Sequence, residues 1–104
     1  MKVCSEMSEG RLRVKLCGEL DHHGAKHAML EIEELIDVFL PRDLIIDMEK
    51  LLFMDSSGIA VVLRSYRRMN EIGGRLWIEN VPQQPMRVLD ASGIERIVQI
   101  TAMT

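Results

Sequence analysis

Residues 11–17, RLRVKLC, alternate strictly: Leu12, Val14 and Leu16 fall on one side, Arg11, Arg13 and Lys15 on the other. A period of two is that of a pleated strand, so this segment reads as a strand with one buried and one solvated face. Residues 3–7 alternate more weakly, and Ser8-Glu9-Gly10 between the two segments reads as a hairpin turn. Gly18 is expected to end the second strand. From residue 24 to 40 the period changes. Ala28, Ile32, Leu35, Ile36 and Phe39 recur at helical spacing, Glu31, Glu33, Glu34 and Asp37 occupy other faces, and Pro41 stops the helix.

Leu44, Ile45 and Ile46 form an apolar run too short for a helix, which suits a strand buried on both faces. A second apolar run, 51–54, leads into Asp55. Ile59, Val62, Leu63, Tyr66 and Met69 then define the core face of a second helix, stopped by Gly73-Gly74. Leu76, Trp77 and Ile78 give a further strand broken by Pro82. Residues 86–90 suggest a short third helix, Ala91-Ser92-Gly93 a turn, and 97–100 a last strand. Strands alternating with helices favour parallel neighbours with right-handed crossovers, and the opening hairpin adds an antiparallel pair. The expectation is an α/β fold: a mixed sheet with helices covering it, one domain over residues 1–104.

Bulk chemistry removes several functions. With a net charge of -3 the chain has no basic balance for nucleic acid, and Arg64, Arg67 and Arg68 read as a solvated helix face. No apolar run approaches the ~20 residues of a membrane span, and residues 1–10 have no apolar signal core. Cys4 and Cys17 are too few for a disulfide framework and read as reduced, buried thiols of a cytoplasmic protein.

Catalytic patterns are weak. Asp21-His22-His23 with His27 invites a metal, but Gly24 stands where a zinc-protease helix would carry its Glu. Asp21 reads instead as a helix cap. Neither Ser56 nor Ser57 sits in a Gly-x-Ser-x-Gly elbow, and there is no phosphate-binding or dinucleotide-binding glycine loop. No metal, no cofactor and no enzymatic activity are expected.

The turn MDSSG, residues 54–58, is left. Ser and Asp oxygens satisfy the free N–H groups of a first helical turn, so a plain helix start accounts for the residues. A phosphate on one of the serines would also be tolerated there, because the helix N-terminus favours an anion. A partner packed over the turn would not tolerate it. The residues alone do not choose between Ser56 and Ser57.

Three segments, GELDHH at 18–23, FMDSSGIAVVLRSYRRMNEIGG at 53–74 and VLDASGIERIV at 88–98, resemble the STAS-domain anti-sigma factor antagonists, most closely their sporulation branch, which frees the forespore sigma factor. The resemblance spans about residues 3–100. It implies that the unphosphorylated protein binds an anti-sigma factor with serine kinase activity and so displaces the sigma factor. Phosphorylation of Ser56 releases the antagonist, and a metal-dependent serine phosphatase restores it. It further implies that Asp21 lies beside the serine and helps engage the kinase, that Ser57 is the helix cap, and that Asp55, Ser56, Ser57 and Gly58 belong to the partner-binding surface. Sporulation members continue into a further C-terminal helix, whereas this sequence stops at Thr104, and Pro82 and Pro85 are expected to shift the start of the third helix. The alternative within the same fold is a non-cycling scaffold subunit of a stress-signalling or lipid-transport complex.

Overall fold

The computed structural model describes residues 1–104. The chain opens with β1 (Lys2–Ser8) and β2 (Arg11–Leu20), paired antiparallel. The two loop residues, Glu9 and Gly10, have φ of 50° and 81°, a left-handed pair whose twist matches that of the flanking strands. Next come α1 (His22–Phe39), β3 (Asp43–Asp47), β4 (Leu51–Met54), α2 (Ser57–Glu71), β5 (Arg75–Val81), α3 (Gln83–Ser92), a 3-10 turn (Ile94–Arg96) and β6 (Gln99–Ala102). The sheet order is β1-β2-β3-β5-β6, with β4 paired to the end of β2, and every pairing after the hairpin is parallel.

The core lies between one face of the sheet and the helices. Leu12, Val14 and Leu16 are buried there with Leu44, Ile46 and Ile78 of the neighbouring strands, against Ile32 and Ile36 of α1 and Val62 and Met69 of α2. Each fully buried aliphatic side chain contributes about 1.5–3 kcal/mol. A one-residue slip of β2 would expose three of them and cost as much as the whole net stability of many small domains, so the register is fixed. Two arginines of α2 tie the helices together at the surface: Arg64 pairs with Glu33 at 3.0 Å and Arg68 with Asp37.

Several boundaries differ from the sequence expectation. β2 does not end at Gly18. That residue, at φ 109°, forms an irregularity, and the strand resumes to pair Leu20 with Met54. Residues 51–54 are a strand that gave no period-two signal, because Leu51 and Met54 are buried while Leu52 and Phe53 are exposed. α3 starts at Gln83, earlier than expected. Pro82 is its N-cap and Pro85 sits in its first turn, where a missing N–H costs no helical hydrogen bond. It also runs through Ser92, with Gly93 at φ 74° ending it. The last strand is displaced to Gln99 by the 3-10 turn. Phe39 is largely exposed, and α2 buries Val61, which the expected core face omitted. The cysteines are not buried: Cys4 is exposed and Cys17 half-buried, both free, because they point to the face of the sheet that the helices leave open.

Gly73-Gly74 does stop α2. Gly73 N–H donates to Asn70 O and Gly74 N–H to Met69 O, at 3.1 and 2.8 Å, with Gly73 at φ 75°. No helix is long and apolar enough to cross a membrane.

Candidate functional site

The parallel pairing of Leu20 with Met54 decides the site. The next residues, Asp21 and Asp55, emerge together, and Asp55 N–H donates to Leu20 O at 3.3 Å. The starts of α1 and α2 therefore stand side by side at one end of the sheet. Asp21 is the N-cap of α1, and its Oδ1 accepts from Gly24 N–H at 2.8 Å. That hydrogen bond, with a lesser contribution from the neighbouring His23, holds the Asp21 carboxyl below the usual carboxylate range against the opposing effect of burial. Gly24 is obligatory here: a Cβ would lie 2.1 Å from the carbonyl oxygen of Glu19.

The start of α2 is built differently. Asp55 Oδ1 accepts from Ser57 N–H at 2.8 Å, and Asp55 O accepts from Gly58 N–H at 3.0 Å. Ile59 N–H donates to Ser56 O at 3.1 Å, so the helix opens with tight three-residue turns. Ser56 is exposed, with helical backbone angles and a hydroxyl that makes no capping bond. The expectation that Ser57 caps the helix is corrected. Ser57 is the first helical residue and receives a cap through its N–H, and the side chain that supplies it is Asp55. Gly58 is buried beneath the turn, where a Cβ would meet Met54 Cε and Cγ at 2.5 and 2.8 Å and Leu20 Cδ2 at 2.9 Å.

Three further features were not legible in the sequence. Gln84 of α3 grips the outer edge of β4: its Oε1 accepts from Met54 N–H at 2.9 Å and its Nε2 donates to Met54 O at 2.8 Å. This side-chain amide replaces a missing strand partner immediately before Asp55. Leu52, 80% exposed, shares a depression with Asp21, His23 and His27. A 310 Å3 groove between α1 and α2 runs up to Ser57, floored by Met29 and Val61 and rimmed by His22, Lys26 and Arg64. No three His, Cys, Asp or Glu side chains converge as a metal-binding group.

The STAS domain family matches residues 5–103. The chain is 34% identical to the anti-sigma F factor antagonist of Paenibacillus polymyxa over 100 residues, covering 96% of this chain and 86% of that relative. It is 27% identical to the anti-sigma-B factor antagonist of Bacillus subtilis (strain 168), covering 98% and 92%. Among solved structures, the anti-sigma factor antagonist SpoIIAA in its unphosphorylated form superposes with a TM-score of 0.81 at 29% identity, over 95% of this chain and 87% of that one. With nearly the whole chain matched, and with the mixed sheet and adjoining helix starts in place, this protein belongs to the STAS domain family, in the company of the anti-sigma factor antagonists.

Proposed function

We infer that this protein is a partner-switching anti-sigma factor antagonist. Its unphosphorylated form binds an anti-sigma factor with serine kinase activity and frees the sigma factor. Phosphorylation of Ser56 ends that binding, and a metal-dependent serine phosphatase reverses it. The observation that carries this reading is Ser56 itself: an exposed serine with an unengaged hydroxyl, at a helix start that adjoins a second one capped by Asp21. Asp21, Ser56, Ser57 and the exposed Leu52 supply the contact surface, while Asp55 and Gly58 shape the turn from beneath.

The physics of the switch lies at the interface. A phosphate adds about -1.5 to -2 charges. The domain accommodates it, because the α2 N-terminus favours an anion, and Lys26 on the rim of the adjoining groove adds positive charge. A partner packed over the turn must leave the phosphate hydrated and lose contact, or desolvate it at a cost of several kcal/mol. Since 1.4 kcal/mol is about tenfold in affinity, binding should fall by at least tenfold with no change of fold.

The test is incubation with the cognate kinase and ATP, followed by mass spectrometry of residues 51–70. Phosphate is expected on Ser56 and absent from Ser56→Ala. Normal incorporation into Ser56→Ala would move the acceptor elsewhere. Asp21→Asn keeps a capping oxygen and loses the charge, so it should fold normally and engage the kinase more weakly. Equal phosphorylation rates would leave Asp21 a cap only.

A further inference from the structure

The face of the sheet away from the helices carries a charge pattern that the Ser56 turn does not use. Its side chains come from Lys2, Glu6, Arg11, Arg13, Lys15, Asp43, Asp47, Arg75 and Glu79, with Arg42 folded onto it from the α1–β3 loop. With Glu9 of the hairpin turn, which lines the same pocket as Arg11 and Arg42, six cations against five anions give this face a charge of +1 in a chain of -3. The excess sits at one point. The Nε atoms of Arg11, Arg42 and Arg75 all donate to the wholly buried Asp43, at 3.2, 3.2 and 3.0 Å. Three guanidiniums thus share one carboxylate. Burial alone would raise the Asp43 carboxyl, but the bonds from Arg75 and Arg42 outweigh it and keep the group ionised below its usual range.

This geometry orients the arginines. With Nε tied down, the paired terminal nitrogens of Arg11 and Arg75 make no hydrogen bond within the protein and face solvent on side chains that are 55% and 67% exposed. A guanidinium presented by that edge takes a carboxylate through two parallel hydrogen bonds. Arg13, by contrast, spends both terminal nitrogens on Asp47 and Glu79, at 2.9 Å each, so it is satisfied and not a candidate. The internal network explains why the face is ordered. It leaves the terminal nitrogens of Arg11 and Arg75 without a hydrogen-bond partner.

We propose that the open face of the sheet is a second docking surface, for an acidic segment of a partner protein, anchored by the guanidinium forks of Arg11 and Arg75, with Arg42, one of whose terminal nitrogens donates to Glu9 O, adding positive charge beside them. The surface is distinct from the phosphorylation site. Arg11 opens β2 and Leu20, next to the Ser56 turn, ends it, so the two lie about 30 Å apart along a ten-residue strand. Both can be occupied together, and the proposal stands whether or not Ser56 is the acceptor.

The molecule carries its own reporter. Trp77 is the sole tryptophan, and the guanidinium carbons of Arg11 and Arg75 lie 5.7 and 5.6 Å from its ring centroid. Titration with a polyglutamate decapeptide at physiological salt should give a saturable change in Trp77 emission. The Arg11→Gln/Arg75→Gln double variant should raise the midpoint roughly tenfold, and Arg11→Lys/Arg75→Lys, which keeps the charge and loses the fork, should also weaken binding. Should the Gln variant fail to fold by circular dichroism, the Lys variant decides alone. Ser56→Asp should bind the peptide as the parent does. A flat titration, an unchanged midpoint in the Lys variant, or an equal response to inorganic phosphate or to a single-stranded oligonucleotide would overturn the proposal.

Discussion

The two helix starts at the functional end of the molecule use the same spelling, Asp-x-x-Gly, DHHG at 21–24 and DSSG at 55–58, and reach different results. At α1 the aspartate bonds the N–H three residues on, and the first main-chain bond, Ala25 N–H to Asp21 O at 2.7 Å, is already α-helical. At α2 the aspartate bonds the N–H only two residues on, and the main chain closes three-residue turns. The first is a conventional cap. The second tightens the chain, and the residue after the aspartate serves the helix through its carbonyl alone, its exposed hydroxyl making no capping bond. A side chain free of structural duty can be modified without unfolding anything, which is what the proposed phosphorylation switch would require of Ser56.

Substitutions at matched positions test the comparison. The largest effect is expected from Gly24→Ala, whose Cβ would sit 2.1 Å from a backbone oxygen that cannot move without shifting β2. A loss of about 3 kcal/mol or more should appear in denaturant unfolding. Gly58→Ala meets side chains, and Met54 is flexible, so about 1–3 kcal/mol is expected. A larger loss at Gly58 than at Gly24 would reverse the assigned rigidity of the two turns.

Removal of the caps comes next. Asp55→Ala should cost about 1 kcal/mol. Asp21→Ala should also destabilise, with a pH signature. The folded carboxyl titrates below its unfolded value, so its contribution is present above about pH 4 and disappears as pH falls through the folded value. The melting temperatures of Asp21→Ala and the parent should therefore converge in acid. Smallest of all, Ser57→Ala and Ser56→Ala should each stay within about 0.5 kcal/mol of the parent. A loss near 1 kcal/mol in Ser57→Ala would restore Ser57 as the cap.

Much of this was readable in the chain because local chemistry carried it. Alternation at Leu12, Val14 and Leu16, the turn residues Glu9-Gly10 and the Gly73-Gly74 stop each encode a backbone choice that neighbours in sequence enforce. β4 was not readable, because burial of Leu51 and Met54 follows from what packs on each side and not from any period of two. Gln84 was not readable either: one glutamine among polar helix residues becomes an edge partner for Met54 only once α3 lies against β4.

Local chemistry dictated the type of most elements, the positions of the turns, the cap of α1 by Asp21 and the presence of an acid-serine motif at a helix start, since these depend on side chains within a few residues of each other. Packing remote in sequence set the starts of α1 and α2 side by side across the β2–β4 pairing and brought three arginines from separate elements together on Asp43. Those outcomes depend on register between strands remote in sequence. Register is set by the burial of the whole core, a sum over many contacts that no short window of residues contains.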